Sequence, residues 1–179
     1  HIQTTKSVLS EGKIARQIDI RLLEGMSLQL RDKAIKLLAS DKRVNSYFDI
    51  INPRESYYIA DDSNRISLEN LFIENMNKCD YTLCVRGTGN YSGRIYMALN
   101  AGRIPVVIDT DIVIPFEEKL NILKVPIKSL ENIGDLILEH FEQTTEQELI
   151  AMKKDNRAAY NQFLAPEKFL PNFLQTVNP

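Results

Sequence analysis

The stretch CVRGTGNYSGRIYMALNAGRIPVVIDTD, Cys84 to Asp111, decides the fold of this chain. It overlaps Tyr81–Val85, a short apolar and β-branched run of the kind buried on both faces of a parallel sheet. Arg86–Asn90 carries Gly87 and Gly89 and reads as a turn. Tyr91–Ala101 then follows a helical period that sets Ile95, Ala98 and Leu99 on one face, and Gly102 stands where a left-handed cap closes a helix. Ile104–Asp109 is a second apolar strand, so the whole makes one βαβ unit with parallel strands.

The flanking sequence extends this pattern. Lys6–Leu38 is helical in period, through Ile18, Leu22, Leu23, Met26 and Leu30, with Gly25-Met26-Ser27 expected to divide it into two helices. Val44–Ile51 reads as a strand ended by Asn52-Pro53, and Tyr57–Ile66 as a loop, or a short strand followed by an acidic turn. Ser67–Lys78 reads as a helix with Leu68, Leu71, Phe72 and Met76 on one face. Leu123–Ile127 is a third strand, followed by helices at Leu130–Phe141 and Thr145–Phe163. Pro166 breaks the last of these, and Glu167–Thr176 adds a short helix with a Pro171 kink. Strands alternating with helices predict an α/β fold, a Rossmann-like parallel sheet with helices on both faces. The expected organisation is an N-terminal helical segment (1–40), a nucleotide-binding core (41–144) and a C-terminal helical tail (145–179).

Composition narrows the function classes. The 179 residues fit one domain, and 44% hydrophobic with 26% charged residues is an ordinary globular composition. A net charge of -2 argues against a nucleic-acid binder that works by neutralising phosphates. No apolar run reaches the roughly 18–20 residues of a membrane span, and no signal pattern opens the chain. The first residue is His rather than Met, which reads as a truncated N-terminus. Cys79 and Cys84 read as buried reduced thiols, and a zinc site would need two further ligands where His140 is the one internal histidine. No metal site is expected.

A strand that turns through glycine into a helix leaves backbone N–H groups unpaired at the positive end of the helix dipole, a site suited to an anion. Asn90 or Ser92 suits the helix cap. Arg94 falls in the first helical turn, where the dipole disfavours a cation unless an anion offsets it, and Arg86 ends the preceding strand. Arginine holds two phosphate oxygens in one fork. Both arginines equally suit pairing with carboxylates elsewhere. The spacing G-x-G-x-x-S lacks the third glycine of the dinucleotide fingerprint, although Asp109 lies where that fingerprint places its ribose acid. An NAD(P)-dependent oxidoreductase domain is therefore one alternative.

Tyr81–Glu118 closely resembles the exostosin-like family of glycosyltransferases. The family pattern has Arg-Gly, then G-N-[FY]-S-x-R-x-[YF]-E-x-L-x-x-G-R-I-P-V-x-I, then Asp and L-P-F. Arg86, Gly87, Gly89, Asn90, Tyr91, Ser92, Arg94, Tyr96, Leu99, Gly102 to Val106, Asp111, Pro115 and Phe116 match it. Upstream, Leu30–Val44 looks like the helix that begins the family's nucleotide-binding half. The resemblance implies the C-terminal half of a GT-B fold, which binds a nucleoside-diphosphate sugar and transfers the sugar to a glycan acceptor in polysaccharide or glycoconjugate synthesis. It implies no metal and no cofactor beyond the donor, with the acceptor held by an N-terminal domain outside this chain. The donor diphosphate would meet Arg86, Gly87, Gly89, Asn90, Tyr91, Ser92 and Arg94. The rim facing the ribose and sugar would be Met97, Asp109, Thr110 and Asp111.

Two departures matter. Met97 replaces the family's ribose-holding Glu and accepts no strong hydrogen bond, and Thr4–Gln17 reads as neither the strand nor the glycine turn that usually opens this half. A non-catalytic binding domain derived from such an enzyme is thus a second alternative. No catalytic base is assigned among Asp109, Asp111, Glu117 and Glu118. Asn90-Tyr91-Ser92 is also a glycosylation sequon, and a glycan there would block a phosphate site, which points to a cytoplasmic setting.

Overall fold

A computed structural model describes residues 4–7, 16–49, 61–87 and 89–177, with side chains described for 28–49, 61, 64–87 and 89–175. Its centre is a three-stranded parallel sheet of β3 (Tyr81–Cys84), β4 (Ile104–Asp109) and β5 (Leu123–Pro126), with β4 in the middle. Tyr81 pairs with Ile104 and Val106 with Leu123. β4 is buried on both faces, with Ile104, Val106, Val107 and Ile108 at most 1% exposed, as its uninterrupted apolar sequence requires. Pro105 is tolerated in this central strand because β5 begins opposite Val106, leaving β4 flanked only by β3 at that point.

The side chains of β4 alternate between two packed layers. Val106 and Ile108 join Val85 and Val125 under α1 (Ile20–Ser40) and α4 (Ile133–Gln143), through Ala34, Leu38, Ile133 and Ile137. Val107 joins Cys84 on the other face, under Ile95, Ala98 and Leu99 of α3 (Gly93–Asn100) and Leu164 of the tail. Helices around a parallel sheet make the fold α/β. Among the described residues no helix is long and apolar enough to cross a membrane.

α3 is short because Gly102 ends it in the left-handed region, with φ 63° and its N–H on Leu99 O at 3.0 Å. The tail continues through α5 (Glu146–Ala159), opened by a capping box between Thr145 and Glu148. A π-helical turn (Tyr160–Leu164) follows, closed by Ala165 N–H on Tyr160 O at 2.8 Å, and then α6 (Pro166–Val177). Pro166 takes the first position of α6, where its missing N–H costs nothing. The fully buried Asn156 ties the tail to the sheet. Its Oδ1 accepts from Asn121 N–H at 2.7 Å, and its Nδ2 donates to Arg103 O and Asn121 O, both at 2.9 Å.

Four local expectations are corrected. Thr4–Ser7 (β1) and Arg16–Asp19 (β2) are antiparallel strands rather than the start of a helix, so the 1–40 segment is helical only from Ile20. α1 runs unbroken through Gly25, at a cost of about 1 kcal/mol that an otherwise helix-favouring sequence absorbs. Val44–Asp49 forms no strand; its burial still alternates, with Val44, Ser46 and Phe48 inward, but no ladder pairs it, and Ile50 and Ile51 lie outside the described residues. Finally, α2 (Asp62–Lys78) begins before Ser67, because Asp61 caps it by accepting from Asn64 N–H at 2.9 Å. The acidic turn is thus a helix start.

Candidate functional site

β3 and β4 both end at one rim of the sheet, and the segments that follow them meet there. Asn90 makes the junction. Its Nδ2 donates to Thr110 O at 2.6 Å, and Thr110 Oγ1 donates back to Asn90 Oδ1. The loop is closed on itself as well, by Gly87 N–H on Tyr91 O at 2.8 Å. Asn90 is therefore committed to holding the loop against β4 and does not cap α3.

Ser92 occupies the cap position with extended backbone, yet its side chain makes no bond to the helix. The residue is only 6% exposed, and its hydroxyl has no partner among the described residues. Ile95 N–H turns back to Ser92 O at 3.2 Å, while among the described residues no bond engages the N–H groups of Gly93 and Arg94. Gly87 does not take a left-handed φ. At Gly89 an added Cβ would meet nothing within 4 Å, which leaves the backbone open to a ligand. Tyr91, 57% exposed, stacks on Tyr96 at 5.8 Å between ring centroids, beside Gly93.

The arginines are the unneutralised part of the site. Arg86 directly follows β3, and its Nε is buried with no partner. Arg94 is exposed, with its guanidinium 5.5 Å from the centroid of Phe72 on α2. No carboxylate pairs with Arg86 or Arg94 among the described residues. Arg94 therefore leans from α3 towards α2 and α1, away from Asn90 and Thr110. There it lines a cavity of about 440 Å³ that Arg31 of α1 also lines, over Leu38, Val85 and Val106. Burial lowers the pKa of Arg31, and the positive charge of Arg94 lowers it further. Arg31 and Phe72 were not foreseen as site residues. The signal for Arg31 was present, a charged residue on the 31, 34, 38 stripe whose other members, Ala34 and Leu38, are core.

Of the expected rim, Thr110 is the clip described above. Asp109 Oδ1 accepts from Asp111 N–H at 3.1 Å, and Asp111 takes φ 59°, a conformation Asp tolerates better than most residues. Met97 is 53% exposed on α3. Phe116 shares a φ of 59°, held by stacking on Phe163 at 5.4 Å and an edge contact with Phe169 at 6.5 Å. The Gly-Arg-Ile-Pro run lies at the other end of β4 and is structural: Gly102 caps α3, Arg103 Nη2 donates to Asn77 at 3.2 Å, and Arg103 O accepts from Asn156. Glu117 pairs with Lys124, and Glu118 is exposed.

Cys79 and Cys84 are free thiols, and burial pushes Cys84 up to about 12, so neither is a thiolate nucleophile. Among the described residues no three His, Cys, Asp or Glu side chains are grouped to hold a metal ion. Among the described residues, the end of β3 and the adjoining cavity present guanidiniums without carboxylate partners, N–H groups at a helix start with no bond, and a hydroxyl with none. Compared with known proteins, the sequence matches no protein-family model and no curated protein.

Proposed function

We propose that this chain is the donor-binding half of an exostosin-like, metal-independent glycosyltransferase of GT-B type, built on a Rossmann-like domain. The observation that carries this is the juxtaposition at the end of β3. Arg86 lies just beyond β3, the start of α3 is uncapped by any side chain, and neither Arg86 nor Arg94 has a carboxylate partner among the described residues. In sugar transfer from a nucleoside-diphosphate sugar, charge develops on the departing diphosphate. Preorganised donors that meet this charge supply a large share of catalysis. Arg94 and the N–H groups of Gly93 and Arg94 would hold the diphosphate, with Ser92 Oγ donating to it and Gly89 letting it approach. The acceptor, a glycan, would be presented by a second domain.

Met97 favours one second reading, a domain that binds nucleotide without turnover. An exposed thioether stands where the family resemblance puts a ribose-holding carboxylate. Calorimetric titration with UDP, GDP and NAD separates the readings. The donor-domain proposal expects UDP or GDP to bind and Arg94→Gln to weaken that binding. Binding of NAD alone overturns it. Nucleotide binding without sugar transfer, once an acceptor-binding domain is supplied, selects the non-catalytic form.

A further inference from the structure

Two cationic side chains from opposite faces of the sheet meet at one cavity. Arg31 comes from α1, which packs on the layer containing Val85 and Val106, whereas α3 packs on the layer containing Cys84 and Val107. Arg94 nevertheless reaches round the β3 edge of the sheet to line the same cavity as Arg31. Neither guanidinium has a hydrogen-bond or carboxylate partner among the described residues, and Arg31 is half-buried. Like charges brought together with no carboxylate partner among the described residues repel each other, and a bound anion would relieve that repulsion. Stacking of Arg94 on Phe72 leaves its in-plane N–H groups free to donate.

We infer that Arg31 and Arg94 together form a diphosphate-binding clamp that ties α1 to α3 across the β3 edge. The inference extends the donor-site reading of Arg94 and rests on it. What it adds is Arg31, and a position for the phosphates on the α1 side of β3 rather than over Thr110. Two linked phosphates suit the site better than one, since two forks approach from different elements and each can hold its own pair of oxygens. The uncharged part of the ligand would lie towards the apolar wall of Leu38, Val85 and Val106.

The test titrates inorganic pyrophosphate, orthophosphate and UDP into the whole chain, alongside Arg31→Gln, Arg94→Gln, their combination and Arg31→Lys. Pyrophosphate and UDP are expected to bind, orthophosphate more weakly. Each Gln variant should lose about tenfold or more in affinity, the double variant less than the product of the two, and Arg31→Lys less than Arg31→Gln. Without ligand, Arg31→Gln should fold at least as stably as the parent in urea, because removing one of two like charges relieves repulsion; a merely structural arginine would not behave so. Pyrophosphate binding without UDP binding keeps the clamp and sinks the nucleotide reading. UDP binding that Arg31→Gln leaves unchanged keeps the nucleotide reading and sinks the clamp. Failure of pyrophosphate to bind the parent also overturns it.

Discussion

Asn156 offers the sharpest test of how the tail is fastened to the sheet. Its side chain is fully buried and makes three hydrogen bonds, all to backbone groups of Arg103 and Asn121, the residues just before β4 and β5. Asn156→Leu keeps the branched outline and heavy-atom count of the side chain, so the change tests the polar contribution without opening a cavity. It strands the Asn121 N–H, and an unsatisfied buried donor costs roughly 1–3 kcal/mol; two carbonyls also lose a donor, at somewhat less each. Added leucine packing returns part of this, so the expected loss is about 3–4 kcal/mol. That is a large fraction of the roughly 5–15 kcal/mol that holds a domain together. With a urea slope of roughly 1–3 kcal/mol per molar, the unfolding midpoint should fall by about 2 M. Asn156→Asp sharpens the assay. The introduced carboxylate still accepts from Asn121 N–H but faces two carbonyl oxygens, so burial raises its folded pKa. Its sign is then fixed: stability is greatest below the unfolded value of about 4 and is lost as pH rises through the raised folded value. A midpoint shift below about 0.5 M for Asn156→Leu, or stability of Asn156→Asp that rises with pH, would refute the bonding described.

Three further outcomes are expected. Gly102→Ala should cost about 1–2 kcal/mol in urea unfolding, because φ is 63° and the new Cβ would lie 3.1 Å from Lys153 O; Gly89→Ala, facing open space, should stay within about 0.5 kcal/mol. Met97→Glu should raise UDP affinity about tenfold by calorimetry, through carboxylate bonds to ribose hydroxyls, and unchanged affinity would remove Met97 from the site. His140 has its pKa lowered by burial, and its Nδ1 shares a hydrogen bond with Tyr81 Oη at 2.8 Å. Its contribution is therefore present above the unfolded value of about 6.5 and lost as pH falls through the lower folded value. Stability measured at descending pH should decline in the parent and decline less in His140→Phe.

The βαβ unit was legible because three independent signals agree over Tyr81–Asp109. β4 is apolar from Ile104 to Ile108, α3 places Ile95, Ala98 and Leu99 at helical spacing, and Gly102 sits at a position with a positive φ. Elsewhere the local signals were ambiguous in kind. Asp61-Asp62-Ser63-Asn64 suits a turn and a helix cap equally well, and packing of Leu68 and Met76 further along decides for the helix. Val44–Asp49 keeps the alternation of a strand, but alternation reports which side faces the core, not whether a ladder exists. For the site, residue types identified the loop, but only the folded chain shows where each side chain goes. Asn90 turns to Thr110, while Arg94 turns to Phe72 and the cavity of Arg31.

That division has an energetic consequence. The loop is held by Gly87 N–H on Tyr91 O and by the Asn90 side chain on Thr110. Arg31 of α1 and Arg94 of α3 have no carboxylate partner among the described residues, and the charge of Arg94 disfavours the charged form of Arg31. A bound dianion then acts twice, by its own contacts and by removing that repulsion. Saturation at a hundred times Kd adds about 2.7 kcal/mol to the stability of any protein that binds only when folded. Arg31→Gln should reduce that gain at a fixed pyrophosphate concentration while leaving the ligand-free midpoint unchanged or higher. An arginine pair set to receive an anion is thus distinguished from a merely basic surface by the opposite signs of these two effects.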